Sequence, residues 1–221
     1  GITGADLVAE SGRAIEELLD LEFGKCRLVV AAREDSGITT LADLVGTPRV
    51  ATVFPGITRR FFAAQQVPVD VVPVSGAAEI APHLGIADIV VDLTSTGSTL
   101  KVNGMREVAT VMQSSARLVT CRPEGDPRRE TLAELVDALA SVLRARGRRY
   151  LMANVPRAAL DEVKRIIPGL NGPTVIDIMN GGTMVAVHAV VPAATIFRTV
   201  AQLKQVGGEG ILVTRIERLM P

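Results

Sequence analysis

EIAPHLGIADIVVDLTSTGSTLKVNGMR, residues 79–106, sets an apolar run, a hydroxyl-rich loop and a helix start in close succession. Ile86–Leu93 is mostly apolar and β-branched, the composition of a buried strand. Thr94–Thr99 then gathers hydroxyls around one glycine, and Leu100–Asn103 reads as a short helix stopped by Gly104. A strand that passes through a hydroxyl- and glycine-rich loop into a helix start is an arrangement that binds phosphate. Backbone N–H groups point outward, and glycine lets the chain approach the anion. Thr94, Ser95, Thr96, Gly97, Ser98 and Thr99 are the candidate phosphate residues. Asp92, at the strand end, would repel a phosphate; a carboxylate there suits sugar hydroxyls, which donate to it. An acid for the ribose and a loop for its phosphate together point to a phosphoribosyl group. Strand–turn–helix units of this composition also occur as plain structural loops, and that reading competes.

Outward from this stretch, strands at Lys25–Ala32, Arg49–Phe54 and Val69–Val74 alternate with helices at Leu41–Val45, Ile57–Gln66 and Ala77–Leu84. The alternation predicts an α/β fold with a parallel sheet. Sites in such sheets lie at strand C-terminal ends, where Phe54, Ser75 and Asp92 fall. Phe54 suits either stacking on a base or packing in the core. Arg59 and Arg60 follow one turn on, where arginines are usually solvated. Ile2–Leu7 reads as a turn with Thr3 as N-cap, followed by a helix reaching about Asp20. Downstream, Val108–Met112 and Arg117–Thr120 read as strands. Arg129–Arg146 is a periodic helix with Leu132, Leu135, Val136, Leu139, Val142 and Leu143 on one face. Its basic end, Arg144, Arg146, Arg148 and Arg149, suits a helix C-terminus better than a phosphate. The last stretch gives a strand at Tyr150–Asn154 and a helix from Pro156 to Ile167. Strands at Thr174–Met179 and Met184–Val191 follow, joined by an Asn180-Gly181-Gly182 turn. A helix at Ala193–Val206 and a strand at Gly210–Ile216 complete it. The order βαββαβ is ferredoxin-like.

Composition bounds the function. With 221 residues, 48% of them hydrophobic, the chain buries a real core. A formal net charge of zero leaves no footprint for nucleic acid, and charges interrupt every apolar run long enough to span a membrane. Cys26 and Cys121 suggest neither a disulfide framework nor a zinc site. His83 and His188 each lack a partner at metal-ligand spacing, and lone histidines are more often structural. No Ser-His-Asp or Cys-His arrangement is visible, and no metal ligands are assigned.

Glu79, Gly85, Ala87, Val90, Asp92, Leu93, Thr96, Gly97, Thr99 and Leu100 stand at the spacing of the ATP phosphoribosyltransferase signature, and GITGADL and YLMANVPRAALDEVKRIIPGLNGPTV also resemble that family's long form. The resemblance covers essentially the whole chain. It implies a two-lobed catalytic part like a periplasmic binding protein, with residues 1–35 and 113–149 as lobe I and 36–112 as lobe II. Residues 150–221 would then form a regulatory domain that binds histidine. It implies phosphoribosyl pyrophosphate and ATP as substrates in the first step of histidine biosynthesis, Mg²⁺ carried by the pyrophosphate, and histidine as feedback inhibitor. It further implies a cytoplasmic homo-oligomer of dimers assembling into hexamers. Thr3, Gly4, Asp6 and Phe54 become nucleotide contacts, and Leu170, Asn171, Gly172, Thr174, Val190 and Gly210 contacts to histidine. Some family members carry an acid where Asn154 stands. Cys26 and Cys121 would both lie near the hinge, which allows them to be neighbours in space, and an N-terminal segment with basic residues for the cleft would be expected before Gly1. A two-lobed solute-binding protein and a non-catalytic histidine sensor are the rival readings.

Overall fold

The computed structural model describes residues 1–179 and 182–220, and the chain divides into two units, Gly1–Arg129 and Glu130–Pro221. The first opens with strand β1 (Ile2–Gly4), helix α1 (Ala5–Ser11) and strand β2 (Glu16–Asp20). The helix expected to reach Asp20 therefore stops at Ser11. Gly12, at φ +62°, supplies the left-handed stop, and the residues beyond it pair as a strand. Strand β3 (Cys26–Arg33) follows, then β4 (Arg49–Thr52), helix α2 (Pro55–Ala64), β5 (Asp70–Pro73) and β6 (Ile89–Thr94). Helix α3 (Ser98–Val102), β7 (Met105–Ser114) and β8 (Ala116–Thr120) complete the unit. The helix expected at Ala77–Leu84 is a short 3₁₀ turn at Ala78–Ile80; Pro82 has no N–H to continue it. The helix expected at Leu41–Val45 is a 3₁₀ turn at Leu41–Asp43, capped by the Asp43 carboxylate, which accepts from the N–H groups of Thr39 and Thr40.

Two sheets result. The smaller has the order β1-β8-β2, and the larger β5-β4-β6-β3-β7. β4 runs parallel to β5 and β6, as the alternation predicts. β3 is antiparallel to both β6 and β7, so the sheet is mixed rather than parallel. A buried apolar run declares a central strand without declaring its direction. β3, assigned above to the first lobe, hydrogen bonds within this larger sheet. Its residues Leu28–Ala32 are completely buried. Leu28, Val30 and Ala32 pack with Phe54, Ile57 and Phe62 on one side, while Val29 and Ala31 pack with Val90, Leu100 and Met105 on the other. Each such valine or leucine contributes roughly 1.5–3 kcal/mol over an exposed one.

The second unit contains helix α4 (Arg129–Ala145, from the last residue of the first), strand β9 (Arg148–Pro156), helix α5 (Leu160–Ile166), β10 (Thr174–Asp177), β11 (Met184–Pro192), helix α6 (Ile196–Gln205) and β12 (Glu209–Arg215). The order β10-β11-β9-β12, all antiparallel, is the ferredoxin-like one. Leu151, Ala153 and Val155 face Val185, Val187, Ala189 and Val191, and Val163, Ile167 and Leu203 cover them. Pro156 does not open a helix. It closes β9 opposite Met184, and a 3₁₀ turn at Arg157–Ala159 leads into α5. Asn180 and Gly181 of the expected turn lie outside the described residues. Among the described residues, no helix is long and apolar enough to cross a membrane.

Candidate functional site

The loop after β6 is built by its own hydroxyls. Thr94 is buried, and its Oγ1 accepts from the Gly97 N–H at 2.9 Å, which folds the loop back on itself. Gly97 sits at φ +78°, where only glycine is unstrained, and a Cβ there would come within 3.2 Å of Glu107 Oε1. Thr96 Oγ1 and Ser98 Oγ share a hydrogen bond of 2.8 Å. Ser95, Thr96, Ser98 and Thr99 are exposed, so the side-chain donors line the solvent side while Leu100 anchors the loop in the core. α3 is a short helix, Ser98–Val102, so donors rather than a long dipole make this loop attractive to an anion.

Asp92 stands two residues before the loop, half-buried. Its Oδ1 accepts from the Leu93 N–H at 2.7 Å. Burial raises its pKa; the Leu93 N–H opposes that rise, and the charge of Glu79 adds to it. Glu79 thus acts on Asp92 from thirteen positions earlier in sequence, although sequence reading gave it no role beyond the signature. Asp88, the residue just before β6, is held by Arg49 in an ion pair of 3.1 Å.

Beside the loop, Ser95 lines a cavity of 390 Å³ together with Asp20, Lys25, Arg27, Ser114 and Arg117, among others. Arg27 forms a bidentate pair with Glu107 at 2.7 and 2.9 Å, and Arg117 pairs with Asp20 at 3.2 Å. This basic cluster was absent from the sequence expectation, because its members come from β3, β8 and the turn before β3.

The other expected residues separate. Thr3 and Gly4 form the end of β1 and the cap of α1. Asp6 is buried at the start of α1, where its carboxylate accepts from Ser114 Oγ and its N–H donates to the same oxygen at 3.1 Å. Phe54 is 5% exposed and packs with Ile57 and Phe62, so its ring belongs to the core. Arg60 donates to the carbonyl of Ala9 at 2.6 Å. Glu10, on α1, accepts from the N–H groups of Gly56 and Ile57 at 2.8 Å each and caps α2.

In the second unit, Leu170, Asn171 and Gly172 form an exposed loop. Thr174 lies opposite His188, Val190 opposite Tyr150, and a Cβ on Gly210 would touch the Asn154 amide at 3.3 Å. His188 Nδ1 and Tyr150 Oη share a hydrogen bond of 2.8 Å, and His83 Nε2 one of 2.8 Å with the Asn103 carbonyl, so both histidines have structural partners. Cys26 and Cys121 are both free and lie toward opposite ends of β8. Cys26 pairs with Ser114 just before that strand, and Cys121 follows it directly. The expected neighbourhood of the two thiols does not form.

A mixed α/β protein with a donor loop and a shielded acid at one strand end, joined to a ferredoxin-like unit, has the build of a phosphoribosyl-binding enzyme. Residues 1–141 match the family described as ATP phosphoribosyltransferase, and residues 145–218 match the HisG C-terminal domain. The chain is 67% identical to the ATP phosphoribosyltransferase of Gemmatimonas aurantiaca, covering all of this chain and 78% of that one. It is 49% identical to that of Halorubrum lacusprofundi, with the same coverage. In structure it resembles an ATP phosphoribosyl transferase (HisG:HisZ) complex from Thermotoga maritima, with a TM-score of 0.58 and 26% identity over 65% of this chain and 69% of that one. The chain belongs to the ATP phosphoribosyltransferase family, the enzymes of the first step of histidine biosynthesis.

Proposed function

We propose that Asp92 and the 94–99 loop hold the phosphoribosyl group in the family's reaction, the transfer of phosphoribosyl from phosphoribosyl pyrophosphate to N1 of ATP with release of pyrophosphate. The observation that carries this reading is the pairing of exposed loop hydroxyls with a half-buried carboxylate at the end of one strand. Ser95, Thr96, Ser98 and Thr99 donate to the 5-phosphate, while Thr94 and Gly97 hold the loop's shape. Asp92 accepts from the ribose hydroxyls. Adenine N1 has its own lone pair, so a C–N bond forms at the sugar C1 as the C–O bond to pyrophosphate breaks, and no strong base is needed. Positive charge builds on the ring, so positioning and electrostatics do the work. Lys25, Arg27 and Arg117 beside Ser95 receive the departing pyrophosphate.

Among the described residues, no three His, Cys, Asp or Glu side chains are grouped to hold a metal ion. Mg²⁺ is assigned to the pyrophosphate of the substrate, which suits an ion that favours phosphate oxygens. Thr3, Gly4 and Asp6 are assigned to the nucleotide side, with Asp6 acting through Ser114. The lobes divide between the two sheets. Histidine as inhibitor is assigned to Leu170, Asn171, Gly172, Thr174, Val190 and Gly210, with Asn154 in place of an acid, and assembly to copies of this chain.

Calorimetric titration with phosphoribosyl pyrophosphate and Mg²⁺ tests the central assignment, with Ser98→Asp as the variant. Ser98 is exposed and outside the left-handed region, so a carboxylate there repels the phosphate without straining the backbone. A loss of affinity of at least about tenfold, about 1.4 kcal/mol, is expected. Equal binding by both proteins would place the phosphate elsewhere.

A further inference from the structure

Arg27 and Glu107 come together across two irregularities of the larger sheet. Arg27 stands opposite Thr94, where the donor loop begins, and on its other side opposite Gln113 of β7. Glu107 stands further back along β7, opposite Ala31. Between Arg27 and Ala31 the β3–β7 register shifts twice. Bulges of this kind bend a strand and re-aim its side chains, and they gather beside active sites. Here the Glu107 carboxylate accepts from both terminal nitrogens of Arg27, at 2.7 and 2.9 Å. Its Oε1 also lies 3.2 Å from where a Cβ on Gly97 would stand, so the ion pair rests against the loop itself. Arg27 lines the cavity beside Ser95, and Glu107 does not. The two side chains are 36% and 31% exposed, so solutes reach both. Arg117, the other arginine of that cavity, is held between two carboxylates, Glu17 at 3.4 Å and Asp20 at 3.2 Å.

We propose that Glu107 is a positioning residue for the departing pyrophosphate: it holds the fork of Arg27 while the site is empty and reclaims it as the pyrophosphate leaves. The inference rests on the assignment of that cavity to pyrophosphate. A carboxylate and a phosphate present the same pair of oxygens to a guanidinium, so one excludes the other from the fork. Glu107 therefore stands in for the anion, and pyrophosphate has to displace it. The exchange is easy, because a half-exposed ion pair gains little over its solvated partners. Arg27 then turns from Glu107 toward Ser95 without moving its backbone, which β6 and β7 pin on both sides. Glu107 keeps the guanidinium beside the loop between turnovers, and its return to the fork weakens the hold on the product.

Calorimetric titration of the full chain with pyrophosphate is the test, run on the wild type, Glu107→Gln, Arg27→Gln and the double variant, each checked for folding by circular dichroism. Glu107→Gln keeps the shape of the side chain and removes its charge. It is expected to bind pyrophosphate at least tenfold more tightly, a gain that the loss of a merely structural ion pair would not produce. Arg27→Gln is expected to bind at least tenfold more weakly. Adding Glu107→Gln to it is expected to change nothing further, because no guanidinium is left to contest. Unchanged or weaker binding by Glu107→Gln, with Arg27→Gln still weakening it, would overturn the inference and leave the pyrophosphate assignment standing. An equal gain from Glu107→Gln with and without Arg27 would also overturn it, reducing Glu107 to a nearby negative charge. Pyrophosphate binding that ignores Arg27→Gln, or that is absent from every chain, would overturn both.

Discussion

At the scale of single residues, Asp92 carries the most specific consequence. Its carboxyl titrates above the usual aspartate value because burial and Glu79 disfavour the charge. Stability contributed by the protonated form is fully present below the ordinary value and is lost as pH rises through the raised one, so at neutral pH the ionised group costs the fold. Asp92→Asn is expected to leave the melting temperature unchanged or higher at pH 7 while weakening phosphoribosyl pyrophosphate binding, as thermal melts and calorimetry would show. Wild-type affinity is expected to fall on acidification at a pH above the ordinary aspartate range. Asp92 and the loop were legible because strand, acid, hydroxyls and glycine are contiguous. Glu79, Arg27 and Arg117 were not, since only folding brings them near. Phe54 shows the complementary limit: an aromatic before a proline reads the same in sequence whether it stacks on a base or, as here, fills the core.

At the scale of elements, β3 and α2 repay attention. Leu28→Ala, in the completely buried centre of β3, is expected to cost about 2–5 kcal/mol by denaturant unfolding, as a cavity between packed strands cannot collapse fully. Glu10→Ala removes the carboxylate that caps α2. It is expected to cost about 1–2 kcal/mol, with Glu10→Gln intermediate because one of its two oxygens is kept as an acceptor. Strand existence was legible throughout the larger sheet, since apolar β-branched runs have few alternatives. Direction was not: β3 reads like its parallel neighbours yet runs against β6. The end of α1 was missed for a different reason. Ile15, Leu18 and Leu19 extend a helical pattern past Gly12, and only pairing with β8 makes Glu16–Asp20 a strand.

Across the whole molecule, the thiols give a test of the architecture. The five residues of β8 span about 17 Å at 3.3 Å per residue, well beyond the roughly 7 Å that a disulfide bridges. No intramolecular bond between Cys26 and Cys121 is expected under mild oxidation. A thiol reagent should modify exposed Cys121 quickly and Cys26 slowly, because burial and then the Asp6 charge push the Cys26 thiol up. Equal rates, or a crosslinked monomer on a non-reducing gel, would contradict the strand arrangement. The ferredoxin-like unit was legible almost entire, because its elements alternate with the right periods and its turns carry glycine and proline. The sheet pairing that merges β3 with the later strands was not, because it joins residues 57 to 88 positions apart.

Glu10 belongs to α1, whose Ala9 packs against the core of the larger sheet, and the N–H groups it holds belong to the first turn of α2. The two bonds pin one helix to the other across 46 residues of sequence. Any fluctuation that parts α1 from α2 must hand both N–H groups to water, so that local opening is an activated event with a steep temperature dependence.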